Sequence, residues 1–187
     1  RTKEEERLEK ILNFKFKKLN IKRYTCWDCV SGIKGLPNIE GKFSNNPLGV
    51  LNWLKDQSSD LSTILLVKDF HKFIDDPTIN RTIKELSSKL KETCHNLIIT
   101  SHLFPSSEEL DELMTIVNLP LPDQKELRNL IKKIAINTNS NLNEQDLNEL
   151  TVASSGLTEI KVKQVTAKAL TQRGKISKED IKDILEE

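Results

Sequence analysis

The sequence predicts an α/β fold with a mostly parallel sheet, followed by a smaller, entirely helical segment. Two continuous apolar runs, 63–67 and 96–100, are bounded by polar residues, as expected for strands buried on both faces. A helical pattern at 78–91 lies between them, and parallel strands joined through a helix form a right-handed crossover. After Pro120 no strand pattern remains. These observations divide the chain into an α/β domain at 1–119 and a helical domain at 120–187.

The first elements follow from caps and periodicity. Thr2 precedes three glutamates at 4–6, which is typical of a helix start because hydroxyl and carboxylate groups satisfy the first backbone N–H groups. Apolar residues at helical spacing predict its buried face: Leu8, Ile11, Leu12 and Phe16. The run 23–30 is rich in strand formers and predicts the first strand. A Gly-, Pro- and Asn-rich loop then leads to Pro47, which fits the first turn of the next helix.

The later elements are predicted in the same way. Ser-Ser-Glu-Glu after Pro105 indicates a helix start, and the apolar run 114–119 predicts a third buried strand. Four further helices are expected at 123–137, 143–152, 158–172 and 177–186. Each begins at a residue that commonly caps helices: Asp123, Asn143, Thr158 and Ser177. Pro120 and Pro122 mark the boundary between the two domains.

Composition limits the classes of function. The chain has 29 basic and 28 acidic residues, for a net charge of +1, so no global field attracts nucleic acid or an anionic membrane. No apolar run has the length of a membrane span, and no signal-peptide pattern is present. An odd number of cysteines, three, favours a reducing compartment. The chain begins at Arg1 in a charged helix, so we expect a fragment of a longer protein.

Cys26 and Cys29 have the C-x-x-C spacing of redox and zinc sites. Because both lie in the predicted strand 23–30, their side chains are expected on opposite faces, where they neither pair nor chelate easily. A zinc site also needs further ligands, and Cys94-His95 is the only adjacent pair on offer. A structural role is therefore favoured, and no metal site is predicted.

The histidines do not indicate a hydrolase. His71 and His102 follow strand ends, where α/β proteins bind ligands, and His95 flanks a strand. No G-x-S-x-G elbow accompanies them, and Ser101 is adjacent to His102, which prevents the usual triad hydrogen bond. We expect surface histidines and no catalytic residue.

The segment from Val67 to His71 carries the clearest functional pattern. An apolar strand followed by an acidic residue resembles the Walker B strand of P-loop NTPases, although an Asp there can also simply cap a turn. The second strand ends in hydroxyls, as a phosphate sensor does. The candidate nucleotide-binding positions are therefore Lys68, Asp69, Thr100 and Ser101.

The missing parts argue against hydrolysis. The chain contains no G-x-x-x-x-G-K-[ST], so no loop of backbone N–H groups is available to hold phosphates. In one register Lys68 replaces the metal-binding Asp, and in the other Phe70 replaces the catalytic Glu. A lysine at the metal position would repel Mg²⁺.

Together these segments resemble the N-terminal half of divergent AAA+ proteins encoded in algal plastid genomes and in cyanobacteria. The resemblance spans about residues 4 to 122 and rests on five motifs: Tyr24-Thr-Cys-Trp-Asp28 with Gly32, Asn46-Pro-Leu48, Leu65-Leu-Val-Lys-Asp-Phe-His71 with Asp75-Asp76, Asn96-Leu-Ile-Ile-Thr-Ser101, and Leu119-Pro-Leu-Pro122. The tail is similar to an AAA+ lid through Ser155-Gly156-Leu-Thr-Glu-Ile160 and the helix start at Ile176-Ser-Lys-Glu-Asp180.

The resemblance implies an AAA+-like sheet, with its first strand before Glu4, followed by a small helical lid. It implies a noncatalytic module that regulates or packs against a second AAA+ module with an intact phosphate loop. ATP and Mg²⁺ would belong to the parent protein and no cofactor to this segment. The expected assembly is a homo-oligomer that forms a ring or a partial ring. The implied location is the chloroplast stroma, or the cytoplasm in cyanobacteria.

Two other functions remain open at this level. One is a protein-binding adaptor domain that does not depend on nucleotide. The other is a DNA-loading AAA+ relative, such as a clamp-loader subunit with a dead site. Balanced charge argues against the second, because such subunits present a basic channel.

Overall fold

The computed structural model describes residues 4–19, 21–101, 110, 112–177 and 180. The chain divides into two compact units, residues 1–117 and residues 118–187. Within the described residues, no helix combines the length and the apolar character that a bilayer-spanning segment needs.

The first unit contains a four-stranded sheet. Its strands are β1 (Arg23–Asp28), β2 (Gly32–Lys34), β3 (Thr63–Lys68) and β4 (Asn96–Thr100), in the order β2-β1-β3-β4. β1, β3 and β4 are parallel, and β2 pairs with β1 in an antiparallel hairpin. This confirms the mostly parallel sheet, with both apolar runs as neighbouring strands. β3 is buried as predicted, whereas β4 is only half-buried, because it lies at the edge of the described sheet.

Three helices connect or flank these strands: α1 (Glu5–Lys18), α2 (Pro47–Lys55) and α3 (Pro77–Glu92). The side chain of Asn46 accepts a hydrogen bond from the backbone N–H of Gly49 at the start of α2. Asp76 does the same for two N–H groups at the start of α3. A proline occupies the first turn in both cases, where its missing N–H has no cost.

The two faces of the sheet differ in what they bury. On one face, Trp27, Leu65 and Val67 are fully buried and form a core with apolar residues of α2 and α3. The opposite face carries Tyr24 and Lys68, which contact residues of α1. α1 is held less deeply than expected, because the predicted apolar face is only half-buried.

The second unit consists of helices in its described part: α4 (Gln124–Asn137), α5 (Glu144–Ala153) and α6 (Glu159–Arg173). Their predicted caps form, and Asp123 with Glu126 completes a reciprocal capping box. The core of this unit is apolar: Leu127, Ile131, Leu147, Leu150, Val162, Val165 and Ile176.

Two strand predictions were wrong. Residues 114–119 form no strand in the described structure, and Ile116 and Val117 are largely exposed. An apolar run becomes a strand only if a neighbouring strand accepts its backbone hydrogen bonds, and no described strand pairs with it. Conversely, the loop predicted after residue 30 contains β2, whose three residues are too few for alternation to be recognised.

Some sequence predictions concern residues that the structure does not describe. The helix start at Thr2 and most of the helices predicted after Pro105 and at 177–186 lie outside the described residues, as does His102. α1 itself begins at Glu5 without a side-chain cap.

Candidate functional site at the carboxyl end of β3

The sheet brings the predicted site residues to one edge. Lys68 is the last residue of β3 and pairs in register with Thr100, the last residue of β4. Asp69 and Ser101 follow these two strands directly. Parallel strands end at the same edge of a sheet, so adjacent strands place all four residues together.

The backbone at this edge is tightly connected. Asp69 has a left-handed conformation (φ 50°), and its N–H donates a hydrogen bond to the carbonyl oxygen of Thr100 at 3.1 Å. The Thr100 hydroxyl lies 3.5 Å from the carbonyl oxygen of Val67, to which it donates. Both contacts tie the end of β3 to the end of β4. The next residue, Phe70, is fully buried in the core and is therefore not a site residue.

The ammonium group of Lys68 lies between two carboxylates of α1. Its Nζ forms ion pairs with Glu9 and with Glu5, the latter at 3.7 Å. All three side chains are largely shielded, with exposed fractions of 19% for Lys68, 24% for Glu5 and 30% for Glu9. Glu5 and Glu9 are four residues apart, so they lie on the same side of α1 and reach the same cation.

The pKa values at this edge reflect burial and close charges. Burial raises the pKa of Glu5, and the carboxylates of Asp69 and Glu9 add to that rise, while Lys68 opposes it. Burial alone would lower the pKa of Lys68, but hydrogen bonding and attraction to Glu9, with Glu5, raise it. The cluster is therefore organised around a protonated lysine at neutral pH.

Two residues of β1 lie close to this cluster. Burial raises the pKa of the Cys26 thiol and of the Tyr24 hydroxyl, and in both cases the negative charge of Glu9 contributes. The Tyr24 ring packs against Phe16 of α1, with 5.1 Å between ring centroids. The polar cluster thus continues into a partly apolar contact between α1 and the sheet.

Sequence reasoning missed the role of Glu5 and Glu9. Glu5 is one of the three glutamates that predict a helix start, where negative charge complements the helix dipole, and the sequence pattern predicts no role for Glu9. A usable signal existed, because a lysine at the end of a buried strand needs a counterion. Only the packing of α1 on this face identifies which carboxylates provide it.

The cysteine and histidine interpretations need two corrections. Cys26 lies in β1, but Cys29 lies in the following turn rather than in the strand. His95 is buried rather than exposed, and its Nδ1 accepts a hydrogen bond from the backbone N–H of Thr63 at 3.3 Å. Within the described residues, no group of three or more His, Cys, Asp or Glu side chains is arranged to hold a metal ion.

Comparison with protein families assigns both parts of the chain. Residues 1–119 match the model for the N-terminal domain of SpoVK-like AAA ATPases. Residues 125–187 match the model for the second domain of the same proteins.

Curated relatives are plastid-encoded proteins of algae. The chain is 28% identical over 186 residues to the AAA domain-containing protein ycf46 of Pyropia yezoensis, and covers 38% of that protein. It is 31% identical over 170 residues to the ycf46 protein of Gracilaria tenuistipitata var. liui, of which it covers 35%. The chain therefore spans little more than a third of the length of these relatives.

A solved structure shares the fold. The AAA domain of FIGL-1, solved in complex with ADP, superposes with a TM-score of 0.56 at 9% sequence identity. The alignment covers 86% of this chain and 54% of that one. At this identity the likeness shows an AAA fold.

Proposed function

Because the chain belongs to the SpoVK-like AAA ATPase family, we propose that it is a noncatalytic AAA+-like module of a longer ATPase. In this proposal the α/β part is a degenerate nucleotide-binding domain and the helical part is its lid. The module regulates, or packs against, an ATP-hydrolysing module elsewhere in the same polypeptide. The observation that carries the proposal is the ion-paired Lys68 at the carboxyl end of β3.

The chemistry of this edge does not fit Mg²⁺ and ATP. Magnesium prefers carboxylate, phosphate and water oxygens in octahedral geometry. Here the last residue of β3 is a cation, and the two α1 carboxylates that could attract a metal are already paired with it. Admitting a second cation would require breaking these shielded ion pairs and overcoming repulsion from the ammonium group.

The phosphates would also lack a binding loop. The sequence has no Walker A motif to present a series of backbone N–H groups to phosphate oxygens. Thr100, the hydroxyl at the predicted sensor position, is directed to a sheet carbonyl. ATP and Mg²⁺ are therefore assigned to another part of the parent protein.

The proposed location and assembly are taken from the related proteins. Plastid-encoded algal relatives support a chloroplast location, and we place the protein in the stroma. Family membership supports assembly as a homo-oligomer, with the hydrolytic module as the immediate partner. An adaptor domain that binds a protein partner without any nucleotide-dependent role is the alternative.

The first test measures nucleotide turnover by this chain. With ATP and Mg²⁺ we expect phosphate release no greater than in buffer, and no difference between the wild type and Asp69→Ala. Turnover above background that Asp69→Ala abolishes would refute the proposal. Saturable binding of Mg²⁺-ATP in calorimetry without turnover would instead argue against the nucleotide-independent adaptor.

The second test addresses regulation in the full-length protein. We expect Lys68→Glu and Glu9→Lys each to change the rate of ATP hydrolysis by several-fold, because each breaks the contact between α1 and β3. The double exchange restores the opposite charges and is expected to recover much of the wild-type rate. Lys55→Glu is the control. It breaks a surface ion pair, with Glu85, that joins α2 to α3 and does not include α1 or β3.

Unchanged hydrolysis in all of these variants would favour the adaptor alternative. A loss of activity that the double exchange fails to restore would show that the charges do not act as a pair. The double-mutant comparison separates the pair from the effects of the individual side chains.

A further inference from the structure

One short segment at the end of α1 and before β1 carries a local excess of positive charge. Residues 13–25 contain four lysines and one arginine and no acidic residue, giving +5. Since the whole chain carries +1, all other residues together carry −4. The balanced composition therefore conceals a local basic region, at the end of α1 and the turn into β1.

The lysines of this segment are available to solvent. Lys15, Lys17, Lys18 and Lys22 are all exposed. Within the described part of the chain none of them forms an ion pair with a carboxylate. Arg23 differs, because it is half-buried and donates a hydrogen bond to Gln57.

Two large apolar side chains share this surface. Phe14 is 62% exposed and Leu19 is 68% exposed. Phe16 contacts Tyr24 of the sheet, and positions two residues away lie on nearly the opposite side of a helix, so Phe14 and Lys18 are directed outward. Lys18 Nζ lies over the Phe14 ring, 4.6 Å from its centroid, so the ammonium group and the ring are in direct cation–π contact. We call Phe14, Leu19 and the four lysines the α1 patch.

We propose that the α1 patch is a peripheral docking surface for a bilayer that contains anionic lipids. Lysine side chains attract a negative headgroup layer, while a neighbouring phenylalanine and leucine can enter the boundary with the acyl chains. The opposite end of α1 is fixed to β3 through Glu5 and Glu9, so the patch is presented on an anchored helix. This inference does not depend on the proposed function.

The composition of the patch favours lipid over nucleic acid. Its exposed cations are all lysines, which act as point charges, whereas planar, two-pronged phosphate recognition favours arginine. Single-stranded nucleic acid is usually held on a series of aromatic side chains, and this patch exposes one aromatic ring. Phe14 and Leu19 add apolar contact that a phosphate backbone does not use.

Vesicle co-sedimentation tests the proposal with the 187-residue chain. We expect association with vesicles of mixed phosphatidylcholine and phosphatidylglycerol, little with phosphatidylcholine alone, and release at high salt. Replacing Lys17 and Lys18 by glutamine is expected to weaken association by about 25-fold, at about fivefold for each lysine. Phe14→Ala is expected to weaken it several-fold without changing its dependence on salt.

Matched controls separate the patch from net charge and from folding. Replacing Lys132 and Lys133 by glutamine changes the charge equally at exposed positions of α4, and is expected to alter binding by less than twofold. Val152→Ala controls for Phe14→Ala, because Val152 is also 62% exposed. Circular dichroism confirms that each variant is folded.

Three results would overturn the inference. The first is no association with anionic vesicles, or equal association with neutral ones. The second is an equal loss of binding in the α4 control. The third is displacement of the chain from vesicles by duplex DNA at the same phosphate concentration, which would identify the patch as a nucleic-acid surface.

Discussion

The indole Nε1 of Trp27 donates a hydrogen bond to the carbonyl oxygen of Phe43, at a distance of 2.8 Å. This bond joins β1 to the loop before α2, across 16 positions of the chain. Trp27 is fully buried, and its ring packs against Phe70 and Phe73, with centroid distances of 5.6 and 6.1 Å. One side chain thus links the sheet, the loop and the segment after β3.

Trp27→Phe should lower the free energy of unfolding by about 1–2 kcal/mol, because the Phe43 carbonyl loses one of its two donors and keeps the N–H of Asn46, while most of the apolar contact remains. Trp27→Ala should cost about 3–5 kcal/mol, since it also leaves a cavity. Urea denaturation followed by circular dichroism measures both. Trp53→Phe is the matched control, because Trp53 is only half-buried, and should cost less than about 1 kcal/mol. Equal losses of stability at Trp27 and Trp53 would contradict the stabilising role of the buried Trp27 ring and its hydrogen bond.

Gly32 and Gly41 give a second comparison. Both have a left-handed backbone, with φ of 71° and 74°. A Cβ on Gly32 would lie 2.5 Å from the carbonyl oxygens of Gly41 and Lys42, whereas one on Gly41 would meet nothing within 4 Å. Gly41→Ala should therefore cost about 1 kcal/mol from backbone strain alone. Gly32→Ala should cost at least about 2 kcal/mol more, because the hairpin must move. Thermal unfolding of both variants tests this, and a smaller loss at Gly32 would show that the hairpin adapts.

The turn between β1 and β2 should make the free energy of unfolding depend on pH in the acidic range. Asp28 accepts hydrogen bonds from the N–H groups of Val30 and Ser31, at 3.0 and 2.6 Å, and pairs with Lys34 at 3.0 Å. Burial opposes ionisation, but the Ser31 and Lys34 interactions outweigh it and hold the pKa of Asp28 below its ordinary value. A carboxyl with a lowered folded-state pKa stabilises above its unfolded pKa, and that contribution is lost as pH falls through the folded value.

Asp28→Asn should lower the free energy of unfolding at neutral pH by about 0.5–1 kcal/mol, a modest value because solvent screens this turn. The difference from wild type should shrink below about pH 4, where the aspartate itself becomes protonated. Chemical denaturation at pH 3 to 7 measures the trend. Asp75→Asn, at an exposed position, is the control and should show no such convergence. A constant difference across this range would rule out the carboxylate as the cause.

Local patterns predicted the elements that depend on local causes. The caps Asn143 and Thr158 and the proline at 47 act within one helical turn, so their helices begin within a residue or two of the expected position. The run 63–67 is apolar enough to favour burial on both faces, and β3 is buried, whereas β4 lies at the edge of the described sheet and is only half-buried. The wrong strand at 114–119 has the same composition, but a strand also needs a partner strand.

The sequence by itself predicted the fold class and placed Lys68, Asp69, Thr100 and Ser101 at the ends of two strands, because the apolar runs and the helical pattern between them are local patterns. That these two strands are neighbours in the sheet was decided by the tertiary structure. Only the tertiary structure decided that Lys68 pairs with Glu5 and Glu9, and that Phe14 is directed outward while Phe16 meets the sheet. Those facts depend on which face of α1 packs against the sheet, across some sixty positions for Lys68. Such a contact is the sum of many weak interactions between distant segments, and no local pattern encodes it.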